Sequence, residues 1–577
     1  MAKELSTSAG DCTKDNDAIT LNPINSVLEG DVEAMKPPQQ PAAGNLHRGL
    51  KARHISMIAL GGSIGTGLII GTGAALAKAG PASLFLAYCT IGLNVYVTMT
   101  AVGEIATYLP TGVGFSGYAA RFVDPALGFS LGWNYLFKYL LAAPNQLTAA
   151  AIVLQEWVPG DKVNPGVWIA IFMILILAIN YIGISYFGEI EFWLSSVKVI
   201  TFVGIILISL ILALGGGPNH DRTGFRYWKD PGAFANYPGI GGGKGKFVAF
   251  ASIFVNAAFA YLGTELVGVT AGEAERPSHT IPRAIKLTFW RIVVFYCLSI
   301  LLLGMVVPYN SKELAFANKA STGASASPFV VAITISGIEV LPAIINGAVL
   351  LFVLSTANTD LYISSRTLYG LAKTGQAPKF CGYTNQRGVP VWNLVIGTLV
   401  SCLAFLNVSG NSQQVFLYFV NVVSIFGMLS WVSILITHIR FIQARRAQGV
   451  RDETLAYTAP FGIGGSCVAL GFTLLFCLIK NFTVFIPSES YGDFDYKTFI
   501  TGYIGFPVYI IMYLAWKWYH NTKILKPHQV DLQSDRQRIL QEEERYLMLQ
   551  REAEDSEVGK TRTVVRRVYR RFFSWLM

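Results

Sequence analysis

Five polar side chains lie inside stretches that are otherwise apolar: Glu104, Lys138, Gln146, Lys198 and Glu265. A charge placed centrally in a bilayer costs at least about 2.5 kcal/mol on insertion scales, so such a residue points to pairing, binding or proton transfer. Lys198 follows Glu191 by seven residues. A buried lysine can release and regain a proton, or tether helices through backbone carbonyls. Glu104, toward the end of the second apolar run, and Glu265 are candidate proton acceptors. Glu265 can equally satisfy orphan N–H groups where a helix breaks. Lys138 precedes Gln146 by eight residues, a similar helical face but roughly 12 Å away along the axis. One carboxylate cannot bridge that distance. Lys138 is therefore a candidate partner for a second negative charge on a ligand, or for a structural acid.

These groups must be positioned by spans that do not run straight through. Gly61 to Gly73 reads GGSIGTGLIIGTG, with six glycines in thirteen residues. Each costs roughly 1 kcal/mol against Ala in a helix interior, which argues for a break. Non-helical backbone survives at membrane depth only where it is buried in protein or lines a wet cavity. Half-helix ends there offer N–H groups to a carboxylate and carbonyls to an amine. Close packing of small residues is the structural alternative. The pattern Gly65, Gly67, Gly71 imitates a dinucleotide loop but is one residue too long and follows no strand. A second interruption, at Gly263, Thr264 and Glu265 in FVNAAFAYLGTELVG, falls five spans later. Two interrupted spans in corresponding positions of two five-span halves point to an inverted-repeat transporter with its site at the midplane; a kinked helix around Gly263 is the alternative.

The whole chain supports that class. It is 577 residues long, 52% hydrophobic and 14% charged, with a mean hydropathy of +0.45. This excludes an ordinary soluble domain. Apolar runs of about 20 residues centre near Gly65, Asn94, Pro144, Leu177, Phe202, Phe259, Leu301, Ser355, Cys402, Phe426, Gly471 and Val508. The expectation is an all-α polytopic membrane protein with 12 transmembrane helices, ten forming the 5+5 core with helices 1 and 6 broken, and two more at the C-terminal end. Residues 1–50 read as a disordered tail without a cleavable signal, 51–520 as the membrane domain and 521–577 as a second tail. Basic segments (His47 to His54, Arg276 to Arg291, Lys373 to Arg387, Arg440 to Arg451 and the C-terminal tail) fall on one side if the spans alternate. The positive-inside rule then puts both termini in the cytoplasm. The net charge of +10 is explained by orientation in a lipid bilayer, and no nucleic acid is expected. Arg366, at the inner end of the eighth span, reads as an interfacial anchor. The final VVRRVYRRFFSWLM reads either as a segment lying on an anionic leaflet or as a solvated tail. Seven scattered cysteines without CxxC pairs or nearby His indicate neither a disulfide framework nor a metal site. No nucleophile and base pair appears outside the spans, so an enzyme is not expected. Asn407-Val-Ser and Asn481-Phe-Thr match the glycosylation pattern beside apolar spans, and Lys3, Lys14 and Lys36 are accessible attachment points for ubiquitin ligase machinery.

The pieces LKARHISMIALGGSIGTGL, GEIATYLP, GFSLGWNY, GEIEFWLSSVKVI, GGGPNHDRTGFRYWKDPGAF, AAFAYLGTELVG, AGEAERPSHTIPRAIK and STANTDLYISSRTLYGLAKTGQAPK occur in this order from Leu50 onward. Together they resemble the fungal amino acid permeases of the amino acid, polyamine and organocation superfamily. APNQLTAA, NFTVFIPSESYGDFDYKTFITGYIGFPVYI and VDLQSDRQ look most like its dicarboxylic amino acid permeases. The resemblance implies the inverted-repeat fold and proton-driven import of glutamate and aspartate across the plasma membrane, with the proton gradient in place of any cofactor. It implies that Gly65, Thr66 and Gly67 hold the substrate carboxylate. Carbonyls near Ile64 and at Ala258 to Ala260 would hold the amino group, and Phe259 would cover the substrate, although an aromatic there can also be plain core. A lysine at the position of Lys198 replaces a sodium ion bridging spans one and eight in related transporters. Many fungal permeases carry Glu where this chain has Gln146. A neutral amide there does not repel an acidic substrate and can donate to its side chain, or it simply packs between helices. Two rivals remain: a permease for neutral or a broad range of amino acids, and a non-transporting sensor. Sensors of this family carry a long extra N-terminal domain, which the tail of about fifty residues does not match.

Overall fold

The computed structural model describes residues 64–534, apart from 111–113, 160–161, 270–276, most of 312–326, 409–411 and 488–493, together with a few residues outside those limits. The tail at 1–50, with Lys3, Lys14 and Lys36, and the segment VVRRVYRRFFSWLM lie outside the described residues.

Helix starts follow from local chemistry. Asp124 and Asn164 accept from the N–H groups of Ala126 (2.9 Å) and Gly166 (2.8 Å), and Pro125 and Pro165 follow them at the first helical position. Asp495 likewise accepts from Thr498 N–H at 3.1 Å. These caps open α4 (Pro125–Leu154), α5 (Pro165–Ile182) and α16 (Tyr496–His520). The other elements used below are α1 (Thr66–Ala79), α2 (Pro81–Tyr108), α3 (Gly114–Phe122), α6 (Ile184–Ala213), α7 (Gly242–Ser252), α8 (Phe254–Tyr261), α9 (Leu266–Val269) and α10 (Thr280–Val306). They are followed by α11 (Pro328–Ile335), α12 (Leu341–Lys373), α13 (Val391–Val408), α14 (Ser412–Ala447) and α15 (Gly462–Phe485). The described residues contain helices and no strand.

Nine helices among the described residues are long and apolar enough to cross a membrane. Three segments expected from the sequence fall outside that set for visible reasons. Of the first, the described residues hold Thr66–Ala79, a short apolar helix that begins after the extended Gly65. The sixth divides into α7, α8 and α9. The third, α4, has 30 residues but carries Asn134, Lys138, Asn145 and Gln146, all buried. Its polar side chains face protein, where hydrogen bonds replace hydration. Asn134, for example, donates to Phe426 O at 2.7 Å and Ser430 Oγ at 2.9 Å.

α4 is the central post, packed most extensively on α12 and α14. α1 lies against α8, and glycine makes this possible: a Cβ on Gly67 would stand 2.6 Å from Ala260 Cα and 2.8 Å from its N. One face of the bundle is crossed by the chain after α16. Leu525 N–H donates to Val123 O at 2.9 Å, Arg440 donates to Leu525 O, and Gln448 donates to Val530 O at 2.7 Å. Arg121 grips Asp531 (2.9 Å) and Arg536 reaches Tyr108 (2.7 Å), while Val530 and Leu532 are buried. The segment expected to start a tail at 521 therefore begins as a packed strap.

Asn407 and Asn481 are buried, and Asn481 donates to Asn421 Oδ1 at 3.3 Å. Neither offers an accessible amide for glycosylation. Arg366 places its guanidinium 4.1 Å from the Tyr362 ring centroid.

Candidate functional site

The two interruptions meet. Gly65 is extended (φ −122, ψ −169) and caps α1 without a side-chain bond. The first ladder bonds run from Leu68 and Ile69 N–H to Gly65 O, at 3.3 and 3.4 Å. The N–H groups of the first turn thus lie outside the intrahelical ladder, at the positive end of the helix dipole. α8 ends where Leu262 turns extended (ψ 143) and Gly263 takes φ +94, a left-handed conformation that suits glycine. Leu262 N–H bonds Phe259 O at 3.2 Å, so the Ala258 carbonyl loses its regular helical partner. Tyr296 OH caps the Ala260 carbonyl at 3.3 Å.

Between these ends lies a cavity with about 40 Å³ for the centres of water-sized spheres, room for a few waters. Gly65, Thr66 and Gly67 line it from α1, Phe259 and Ala260 from α8, and Lys138 and Gln146 from α4. These seven expected residues are brought together. Ile64 and Ala258 are fully buried but do not line the cavity; they belong to the packed core around it. Gln146 is oriented by Thr66, whose hydroxyl donates to Oε1 at 2.8 Å. The amide nitrogen is thereby left as the donor end.

Lys138 and Glu265 form a buried ion pair. Glu265 Oε1 also lies 3.4 Å from Tyr139 OH, and Oε2 accepts from Gly263 N–H at 3.1 Å. The carboxylate thus satisfies an orphan donor at the break, the role weighed beside proton transfer. Lys138 is further enclosed by the Tyr139 and Tyr135 rings, at 4.5 and 5.4 Å from their centroids.

Lys198 stands beyond the cavity wall. Its Nζ donates to Gly61 O at 3.1 Å and Thr356 Oγ1 at 3.4 Å, and lies 3.9 Å from Glu191 Oε1. One ammonium therefore links α6, α12 and the chain entering α1. Glu191 in turn accepts from Ser355 at 2.5 Å and Ser195 at 3.3 Å.

Glu104 is elsewhere. It accepts from Arg445 at 2.8 Å and from Ala459 N–H at 2.8 Å, and lies 3.2 Å from His438 Nε2. Arg445 continues to Asp452 at 2.9 Å, and His438 Nδ1 meets Ser466 at 2.8 Å. This network ties α2, α14 and α15 together near the strap and does not touch the cavity.

The cavity also holds groups that sequence reasoning missed: Tyr139 on α4, and Thr356, Thr359 and Asp360 on α12. Asp360 is 5% exposed, and its Oδ2 is without a hydrogen-bond partner. The signal was available, since it is a carboxylate within a stretch expected to span the membrane.

Residues 54–529 match the amino acid permease family. The chain is 54% identical over 511 residues to the dicarboxylic amino acid permease of Saccharomyces cerevisiae, covering 88% of this chain and 83% of that one. It is 38% identical to the lysine-specific permease of the same yeast (86% and 79% covered) and 38% identical to the proline-specific permease of Emericella nidulans (84% and 88% covered).

Proposed function

The chain belongs to the amino acid permease family, a family of transporters and not of enzymes, and on that premise we propose that it imports acidic amino acids, L-glutamate and L-aspartate, across the plasma membrane together with protons. It is a multi-pass membrane protein. The nine long apolar helices, with α4 and the two interrupted segments, make up twelve spans arranged as a 5+5 inverted repeat followed by two helices. Both termini are cytoplasmic, in keeping with Arg440, Arg445 and Arg446 at the end of α14.

The observation that carries the substrate assignment is the pairing of a neutral Gln146 with a lysine on one cavity wall. The N–H groups at Thr66 and Gly67 take the α-carboxylate, and the carbonyls at the end of α8 take the amino group. Phe259 closes the site. Lys138 exchanges part of its bond to Glu265 for the side-chain carboxylate, while the neutral Gln146 amide, two helical turns further along α4, does not repel that second negative charge. The cavity as it stands is small for a ten-heavy-atom substrate. Binding therefore draws Lys138 and Glu265 apart, which couples the α4 wall to the α8–α9 break. Lys198, Glu265 and Glu104 remain the proton-coupling candidates, Lys198 occupying the position that a sodium ion would take between α1 and α12. The named dicarboxylic relative supports this reading.

The test is uptake of labelled glutamate, aspartate, leucine and lysine in cells without their own acidic amino acid transport, at about pH 5 and about pH 7.5, for the natural chain and Gln146→Glu. Acid-stimulated glutamate uptake that the substitution abolishes, with the protein still at the surface, supports the assignment. The lysine- and proline-specific relatives show how far substrates vary in this family. Entry of leucine without glutamate selects the neutral-substrate reading, and entry of nothing selects the sensor.

A further inference from the structure

Around the cavity one cation faces more carboxylates than it can neutralise. Lys138 is already paired with Glu265, which stands behind the cavity wall, and Asp360 lines the space itself from α12. Asp360 has 95% of its surface covered, and its Oδ2 has no partner. The titratable and polar groups facing it are Tyr135, Lys138, Tyr139 and Gln146 on α4, Glu265 at the break after α8, and Glu191 and Lys198 on α6. Lys198 is occupied with Gly61 O, Thr356 and Glu191, so it is not a free counter-ion for Asp360.

An acidic amino acid adds two carboxylates and one ammonium, hence one further net negative charge. The N–H groups at the start of α1 are committed to its α-carboxylate. Its side-chain carboxylate then competes with Glu265 and Asp360 for Lys138. A buried carboxylate without a counter-charge is costly, and the least costly relief is a proton on the acid that lines the cavity and has one oxygen without a donor, Gln146 serving the carboxylate as a neutral partner. That acid is Asp360; Glu265 keeps its Gly263 N–H.

We propose that Asp360 carries the proton that accompanies the acidic substrate: it takes up a proton from the outside before the substrate settles, and releases it inside when the substrate leaves. This rests on the glutamate reading above. The step is a simple proton transfer, carboxylate plus proton to carboxylic acid and back, with no other bond made or broken. Asp360 accounts for one proton per substrate and is a coupling residue distinct from Lys198, Glu104 and Glu265.

The experiment uses the full chain reconstituted in liposomes loaded with a pH dye, with the membrane potential held at zero. Labelled glutamate uptake driven by an inward proton gradient is compared with glutamate exchange without a gradient. With one proton per glutamate, a gradient of about two pH units supports at most about 100-fold accumulation. The expected result is that the natural chain accumulates glutamate and acidifies the lumen. Asp360→Asn should still exchange glutamate, at a changed rate that no longer depends on pH, without accumulation or acidification. Asp360→Glu should recover proton movement. Accumulation with acidification by Asp360→Asn overturns the proposal. So does loss of both exchange and glutamate-induced thermal stabilisation in a folded Asp360→Asn, which would make Asp360 the amino-group ligand. If Asp360→Asn does not fold, Asp360→Glu decides: a displaced pH profile supports the proposal and an unchanged one overturns it. A natural chain that exchanges glutamate without moving protons overturns the Asp360 assignment and the proton coupling but leaves the substrate reading standing, whereas one that does not exchange glutamate overturns the substrate reading as well.

Discussion

Replacing Lys138 with Met isolates the physics of the buried pair. Both side chains are nearly inaccessible, at 2% and 0% exposure, so Glu265 would be left as a carboxylate in protein with Gly263 N–H and Tyr139 OH as its hydrogen-bond donors. Removing one partner of a buried pair costs about 3–5 kcal/mol, because the remaining charge keeps its desolvation penalty and loses its compensation. At an effective dielectric of about 20, two unit charges at about 4 Å attract by about 4 kcal/mol, which agrees with that range. The double substitution Lys138→Met with Glu265→Gln removes the charge while preserving an acceptor for Gly263 N–H. It should recover about 2–3 kcal/mol of that loss. The assay is thermal unfolding of the detergent-solubilised full chain, followed by the fraction that remains monodisperse on size-exclusion chromatography. The expected order is natural chain, then double variant, then Lys138→Met. A Lys138→Met protein as stable as the natural chain, or a double variant no better than the single, refutes the reasoning.

Gly67→Val should abolish transport and cost about 1–3 kcal/mol of stability, because the added side chain must displace Ala260 and part α1 from α8; uptake normalised to surface protein, beside thermal unfolding, checks this. Asp124→Ala removes the α4 cap and the partner of Lys517 (2.7 Å), for a loss of about 1–2 kcal/mol read by thermal unfolding. Burial alone would raise the Asp124 carboxyl, but Lys517, the Ala126 N–H and Thr522 together hold it below the usual carboxylate range. Its contribution is therefore present above the ordinary carboxylate range and is lost as pH falls through the lowered value. An acid limb of the stability profile that disappears in Asp124→Ala is the expected signature. Leu532→Asp places a charge in the buried strap and should expose the end of the chain to limited proteolysis near Leu525, with no change in cleavage contradicting the packing.

The interruptions were legible because glycine is expensive in a helix: Gly61 to Gly73 and Gly263 marked the two ends that face each other across the cavity. Gln146 and Lys138 were rightly read as sharing a helical face, and they line one wall. What the sequence conceals is the partner. Glu104 was legible as a buried acid, but its neighbours His438 and Arg445 lie more than three hundred residues away, so a proton site could not be told from a structural network. Glu265 met its lysine across 127 positions. Asp360 was missed through its neighbourhood, ANTDLYISS, in which small polar residues dilute the contrast between a carboxylate and an apolar run. The strap was missed because Lys, Pro, His and Gln dominate its composition, although Val530 and Leu532, two residues apart, are the period of an extended segment with one buried side.

The most direct test of the central claim is competition for labelled glutamate in exchange by the purified, reconstituted full chain. Unlabelled glutamate and aspartate should suppress exchange at equal concentration, whereas glutamine, leucine and lysine should not, because they lack the second carboxylate that Lys138 is placed to receive and the neutral Gln146 does not repel. Equal competition by glutamine would contradict the account, since it would show that the cavity does not read that charge.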